Sequence, residues 1–332
     1  MSELDMLVVN GLDVSDLTEE YIQFHNIGGV DVWHKSMGGL RSFADVHNFV
    51  DKHPDKITVV RNVREMYQAK EQGRLGLLLG WQTANPISTG RGGDNDWWGE
   101  PIKTNLRGYY ELGLRIVGIA YQIANIFGGG AIDGHMGLSR AGKALVEEVH
   151  KLGMILDVGG HTGDQTSFDA IRMSAGLPVI CSHGGARALA DSPRNLSDEM
   201  IMAIANTGGV VGIPAINDFL VRGKEMAHMS ETPWGTVDNF VKHVEHMKGL
   251  VGVDHIGLGP DFTWNMSGMR DRAIFGPETM DELPRRFVKG FENISELPNV
   301  VTTLQEREWS DQDIQKFMGG NWLRVYEQVW GS

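Results

Sequence analysis

The sequence predicts a closed (β/α)8 barrel of the TIM type, and three observations carry the prediction. Short apolar runs recur along the chain, stretches of helical periodicity separate them, and polar groups able to coordinate or move protons follow the runs. The runs are Leu7–Val9, Gly29–Trp33, Leu75–Leu79, Ile116–Ala120, Met154–Val158, Pro178–Cys181, Gly209–Ile213 and His255–Leu258. They are too short for helices and too continuous for strands with one wet face. Runs of this kind suit strands buried on both faces, as in a parallel sheet. Alternation with helices implies a helix-covered sheet, and eight such runs favour closure into a barrel over an open doubly wound sheet.

The helical stretches carry their own boundaries. Leu138–Leu152 has Ser139 as N-cap, an apolar stripe of Leu145, Val146 and Val149, and Gly153 as its stop. Ser197–Thr207 repeats the pattern with Ser197 as cap, Met200, Ile201 and Ile204 inward, and Gly208 as stop. Thr236–Leu250 is a third. Two stretches break the rhythm, Ser88–Thr104 after the third run and Asn265–Leu283 after the eighth. Long connections leaving that end of a barrel form a lid or rim over the mouth, or are plain surface loops. The expectation is one domain over residues 1–332, with a C-terminal helical extension from about residue 280 to 332.

The 332 residues suffice for a barrel of this kind, and 41% hydrophobic content supports a sizeable core. The 43 acids outnumber 30 bases, for a net charge of −13, which leaves no electrostatic footprint for nucleic acid or an anionic membrane. The single cysteine, Cys181, excludes an intramolecular disulfide and fits a reducing compartment. The opening Met-Ser-Glu-Leu-Asp lacks a basic leader. No apolar stretch approaches the roughly 18 residues that cross a bilayer. The expectation is a cytoplasmic protein acting on a small molecule.

Functional groups of such barrels collect at the C-terminal ends of the strands. Reading each run to its end gives His34 after the second, Gln82 after the third and Tyr121 after the fourth. His161 follows the fifth, His183 the sixth and Asp261 the eighth. Each histidine alone could be a hydrogen-bonded structural residue. His161 and His183 lie one βα repeat apart, so neighbouring strands would aim both imidazoles into one mouth, as a first-row divalent ion requires. Asp261 could serve as proton shuttle or as a turn cap. His34 could assist the chemistry or pack at a strand end. Tyr121 could polarise a carbonyl or line the pocket, and Gln82 could touch substrate or hydrogen-bond within the mouth. Arg194, ahead of the Ser197 cap, could clamp a carboxylate through its guanidinium fork or stay solvated. His135 sits in a glycine-rich loop that could reach the mouth, whereas His150, His243 and His246 read as solvated helix residues. Cys181 reads as a core residue, with a modulating thiol as the alternative.

Several blocks, taken in order, resemble the membrane (renal) dipeptidase family. They include Leu152-Gly-Met-Ile-Leu-Asp-Val, His161-Thr-Gly-Asp-Gln-Thr, Pro178-Val-Ile-Cys-Ser-His-Gly-Gly-Ala-Arg-Ala and Pro193-Arg-Asn-Leu-Ser-Asp-Glu. Gly208-Gly-Val-Val, Val253-Asp-His-Ile-Gly-Leu-Gly-Pro-Asp-Phe and Gly320-Asn-Trp-Leu-Arg-Val continue the resemblance to the chain's end. The resemblance implies a metal-dependent barrel hydrolase that holds two zinc ions. It makes His161 and His183 ligands of one metal, Arg194 the anchor of the substrate carboxylate, and Asp261 the acid–base group. It also implies a possible homodimer.

The departures from the family pattern are specific. The first strand of the family ends in Asp-Gly-His-x-Asp, whereas this chain reads Asn10-Gly11-Leu12-Asp13-Val14, so two ligands of the second metal are missing. Gln82 stands for the bridging glutamate and Tyr121 for a histidine, and an extra glycine, Gly159 or Gly160, precedes His161. The expectation is therefore one divalent ion, zinc first, on His161 and His183, with His34, Gln82 or Asp261 completing it. The substrate expected is a dipeptide or similar small amide. A lyase or other non-peptidase barrel with one metal, or a metal-free binding barrel, remains the alternative.

Overall fold

The computed structural model describes residues 6–87, 100–133, 135–221, 233–265 and 286–331. The strands are β1 (Val9–Asp13), β2 (Val32–Ser36), β3 (Ile57–Val59), β4 (Leu75–Trp81), β5 (Leu114–Gly118), β6 (Ile155–Asp157), β7 (Val211–Ile213) and β8 (Ile256–Leu258). All pairs are parallel, and the first sheet runs β1-β2-β4-β5-β6. β3 occupies the lower part of one β4 edge, pairing Leu75–Leu77, and β5 takes the same edge from Leu79 on. β7 pairs β8.

Single bridges complete the ring. Asp157 bridges Ile180, Cys181 bridges Val211, and Asp13 bridges Phe262 beyond β8. Each of the eight apolar runs is thus a stave of the barrel, and the TIM-type fold stands. The run Pro178–Cys181 is reduced to two bridging residues. Val179 gives its N–H to Thr207 Oγ1 (3.1 Å) instead of to a ladder. The first stave also differs. The strand runs to Asp13 rather than ending at Val9, with Asn10, Gly11 and Leu12 all buried.

Side chains alternate between two buried layers, as the pleat dictates. Val9, Val32, Leu78, Ile116, Ile155, Ile180 and Val210 form the inner cluster. Their neighbours Trp33, Leu77, Val117, Leu156, Cys181 and Val211 belong to the outer cluster, against the helices. The inner cluster is closed by Trp322, Leu323, Val325 and Tyr326 from the last helix, Asn321–Trp330. The Trp322 indole N–H donates to Leu258 O (3.1 Å), so the C-terminal helix seals the barrel interior.

The helices begin where the sequence places their caps. Ser139 accepts from Gly142 N ahead of the helix Arg140–Lys151, and Ser197 accepts from Met200 N ahead of Asp198–Asn206. Thr236 and Asn239 form a reciprocal capping box at Val237–Val251. Residues 88–99 and 266–285, with Trp97 and Trp98, lie outside the described residues, and so does any lid built from them. The end of the first long stretch is not loop, since a helix spans Glu100–Glu111. No helix among the described residues is long and apolar enough to cross a membrane.

Candidate active site

Five of the expected side chains meet above the inner cluster, at the C-terminal ends of the staves. The His161 and His183 rings lie edge to face with centroids 4.9 Å apart. The Tyr121 ring stacks on His161 at 3.7 Å and 23°. Arg194, 2% exposed, reaches His161 with Nη2 3.3 Å from Nε2. Asp261 closes the group from the far side, with Oδ2 4.0 Å from His183 Nε2.

Backbone geometry positions each of them. Gly159 and Gly160 have φ of 72° and 55°, a double left-handed turn that suits glycine. A Cβ on Gly160 would stand 2.7 Å from His183 O and 3.1 Å from Arg194 Nη1. The additional glycine before His161 therefore makes room for the guanidinium. Asp261 is itself left-handed, at φ 59°, an uncommon conformation for a residue with a side chain. Its N–H is tied to Leu12 O at 3.0 Å, so β1 holds the turn that presents the carboxyl.

The proton on His34 follows from its partner. His34 Nδ1 faces Gly11 O at 2.5 Å. A carbonyl only accepts, so Nδ1 carries the proton and Nε2 is bare. That Nε2 is buried without a hydrogen-bond partner among the described residues. Burial brings the His34 pKa down to about 4. His183 Nε2 is likewise buried without a hydrogen-bond partner among them. Its Nδ1 lies 2.8 Å from Ser182 Oγ, which lies 2.6 Å from Asp157 Oδ2. Burial, then the Arg194 charge, then His34 hold His183 well below the ordinary histidine range. Burial also lowers Arg194, while Asp261 and Tyr121 oppose that shift.

The remaining expectations fall in different places. His34 is not at a strand end but in the middle of β2, fully buried beneath the mouth. Gln82 follows β4 directly and lines a cavity of about 870 Å³ with Lys35, Asp16, Thr83 and Tyr121. His135 is exposed and lines a separate cavity with Asp164 and Arg187. His243 is not solvated. It is 1% exposed, accepts from Ala186 N (2.9 Å) and meets Leu220 O (3.0 Å). His150 and His246 are partly buried too, against Ser174 Oγ and the Asp198 carboxylate. Cys181 is a buried core thiol that burial makes harder to ionise.

Asp157 and Ser182 were not singled out from the sequence. They lie 25 residues apart, and only the register between β6 and the Ile180–Cys181 stave brings them together. Lys35 was missed as well. Its signal was present, since a charged residue beside His34 on a doubly buried strand is unusual.

Histidines, an arginine and an aspartate thus converge at the strand ends, the face on which barrels of this kind carry their sites. The chain belongs to the membrane dipeptidase family, peptidase family M19, whose model matches residues 35–286 and 281–330. A solved amidohydrolase from Pseudomonas aeruginosa superposes with a TM-score of 0.82 at 27% identity, covering 99% of this chain and 98% of that one. Dipeptidase tcpJ of Claviceps purpurea is 33% identical over 302 residues, 90% of this chain and 61% of that protein. An uncharacterized dipeptidase of Schizosaccharomyces pombe is 33% identical over 226 residues, 67% of this chain and 48% of that protein. The chain thus matches only about half to three fifths of these curated relatives' length.

The family implies a divalent metal. His34 Nε2 and His183 Nε2, both buried, have the chemistry of metal ligands when they carry no proton. Asp261 can add a carboxylate beside His183. His161 adjoins His183, but its Nε2 faces Arg194 Nη2, which only donates. Leu12 in β1 and Val14 just past it bring no ligand atom in their side chains. As the side chains lie, no three His, Cys, Asp or Glu groups among the described residues surround a common point. The family's divalent ion would thus draw on His183, with His34 and Asp261 the nearest candidates to join it, and Leu12 and Val14 offer nothing toward a second.

Proposed function

We propose that this chain hydrolyses a small amide with a free carboxylate, such as a dipeptide, using one divalent ion, zinc in the first instance. The observation that carries the reading is Arg194. Its guanidinium is buried at the mouth, and its Nε and Nη1 have no hydrogen-bond partner among the described residues. Donors left this way are costly unless an anion meets them. A substrate carboxylate fits that fork in a bidentate pair.

A bound divalent ion would supply Lewis-acid polarisation of the amide carbonyl and a more acidic water. The residues do the rest. Arg194 fixes the carboxylate end, so that the scissile amide lies over the His161–His183 pair. Asp261 takes a proton from the attacking water as the C–O bond forms. It returns the proton to the leaving nitrogen as the C–N bond breaks, giving an amine and a carboxylate. The Tyr121 ring, stacked on His161, limits water access from the side of the Gln82 cavity.

One observation favours a second reading. The Arg194 cation already stands against His161, where the resemblance would put a metal. A barrel that binds or cleaves without a resident ion would use that arrangement as it is. A panel of dipeptides assayed with added zinc or manganese tests the first reading. Turnover by the native chain and its loss in His183→Ala support it. Equal turnover by the two proteins, or none by either, sinks it.

A further inference from the structure

We infer that Asp157 and Ser182 are positioning residues that hold His183 in a single tautomer, with its proton on Nδ1 and a bare Nε2 facing the mouth. The inference deepens the proposed function but rests on contacts within the barrel alone.

Asp157 ends β6 and is buried, and it accepts twice from Ser182. Ser182 N–H meets Oδ1 at 2.8 Å, and Ser182 Oγ meets Oδ2 at 2.6 Å. A hydroxyl has one proton to give. While Asp157 is ionised that proton goes to the carboxylate, and Ser182 Oγ turns its lone pairs toward His183 Nδ1, 2.8 Å away. Nδ1 must then be the donor, and Nε2 keeps its lone pair. The chain of three groups extends the carboxylate–histidine arrangement that tunes metal-bound imidazoles, with a serine between the two partners. It also explains an otherwise costly feature. Nε2 of His183 is buried without a hydrogen-bond partner among the described residues, and the relay prevents the ring from placing its proton there.

The relay also has a sense that can be reversed. In Asp157→Asn the amide oxygen still accepts from Ser182 N–H, which turns the amide NH2 toward Ser182 Oγ. Ser182 then gives its own proton to Nδ1, and His183 must carry its proton on Nε2. The isosteric change therefore inverts the imidazole without emptying any space.

The test is nitrogen NMR of histidine-labelled, chelator-treated protein at pH 8, where the imidazoles are neutral. His183→Ala assigns the signal. The native chain is expected to show His183 protonated on Nδ1, and Asp157→Asn to show it protonated on Nε2. Ser182→Ala is expected to give a mixture. A zinc titration of the same proteins is expected to show affinity reduced by about 10- to 100-fold in both variants. A native His183 protonated on Nε2, or an Asp157→Asn tautomer identical to the native one, would overturn the inference. If no variant takes up metal and no dipeptide is cleaved, the proposed function fails, and the tautomer result still decides the relay.

Discussion

Arg194 Nη2 stands 3.3 Å from His161 Nε2, so a permanent cation shares the mouth with the imidazole that the family pattern would give to a metal. Arg194→Met removes the cation while keeping much of the bulk. KM for a cleaved dipeptide should rise by about 2 kcal/mol, or roughly thirtyfold, with a smaller change in kcat. The same dipeptide with an amidated C-terminus should bind the two proteins alike. Steady-state kinetics on the matched pair checks this, and equal KM changes on both substrates would mean that Arg194 does not read the carboxylate.

Gly80 pairs with Ser36, and the His34 imidazole reaches it diagonally across the inner face. A Cβ there would lie 2.1 Å from His34 Nε2 and 3.0 Å from Ile116 Cβ. His34 cannot retreat easily, because its Nδ1 is held by Gly11 O. Gly80→Ala should cost about 2 kcal/mol of stability, as overpacking does, and displace the imidazole. The midpoint of denaturant unfolding checks the first effect. Turnover that falls further than stability checks the second.

His243 gives a pH-dependent prediction away from the site. Its Nδ1 accepts from Ala186 N–H and its Nε2–H meets Leu220 O, so the neutral ring is satisfied and a second proton has no place. Burial lowers its pKa to about 4. The folded value lies below the ordinary 6.5, so its contribution is complete above pH 6.5 and is lost as pH falls toward 4. The full span is about 3 kcal/mol. His25 and His34, also near 4, act in the same direction. His243→Asn should flatten the loss of stability between pH 6.5 and 4.5, measured by urea unfolding. A variant with the native slope would contradict this origin.

Gln82→Glu restores the acid that the family pattern places after this strand. It should not restore a second ion, because the Leu12 and Val14 side chains still offer no ligand atom. Metal content of the variant should stay at the native level. A gain of one equivalent would show that other side chains rebuild the site.

The barrel was legible because burial on both faces writes itself as continuous apolar runs, and every run became a stave. β1 was misjudged at its end because Asn10-Gly-Leu-Asp reads as a turn. The barrel buries it by pairing, with Asn10 Nδ2 and Tyr21 Oη both donating to Asp13 Oδ2 at 3.1 and 2.6 Å. β3 was overlooked because Thr58 interrupts a run of only three residues. His243 could have been read correctly. It lies three residues after Phe240 and one before Val244, on the apolar face of its helix. At the site, residues that follow strands were found by position alone. Asp157, Ser182 and the Arg194–His161 contact were not, because each depends on register between staves that local sequence does not encode.

Metal content per chain tests the central claim most directly. It is measured by plasma mass spectrometry on protein purified without chelators or a histidine tag, before and after incubation with zinc or manganese. One equivalent, lost in His183→Ala, is the predicted result. Two equivalents, or none after incubation, would contradict a single ion centred on His183.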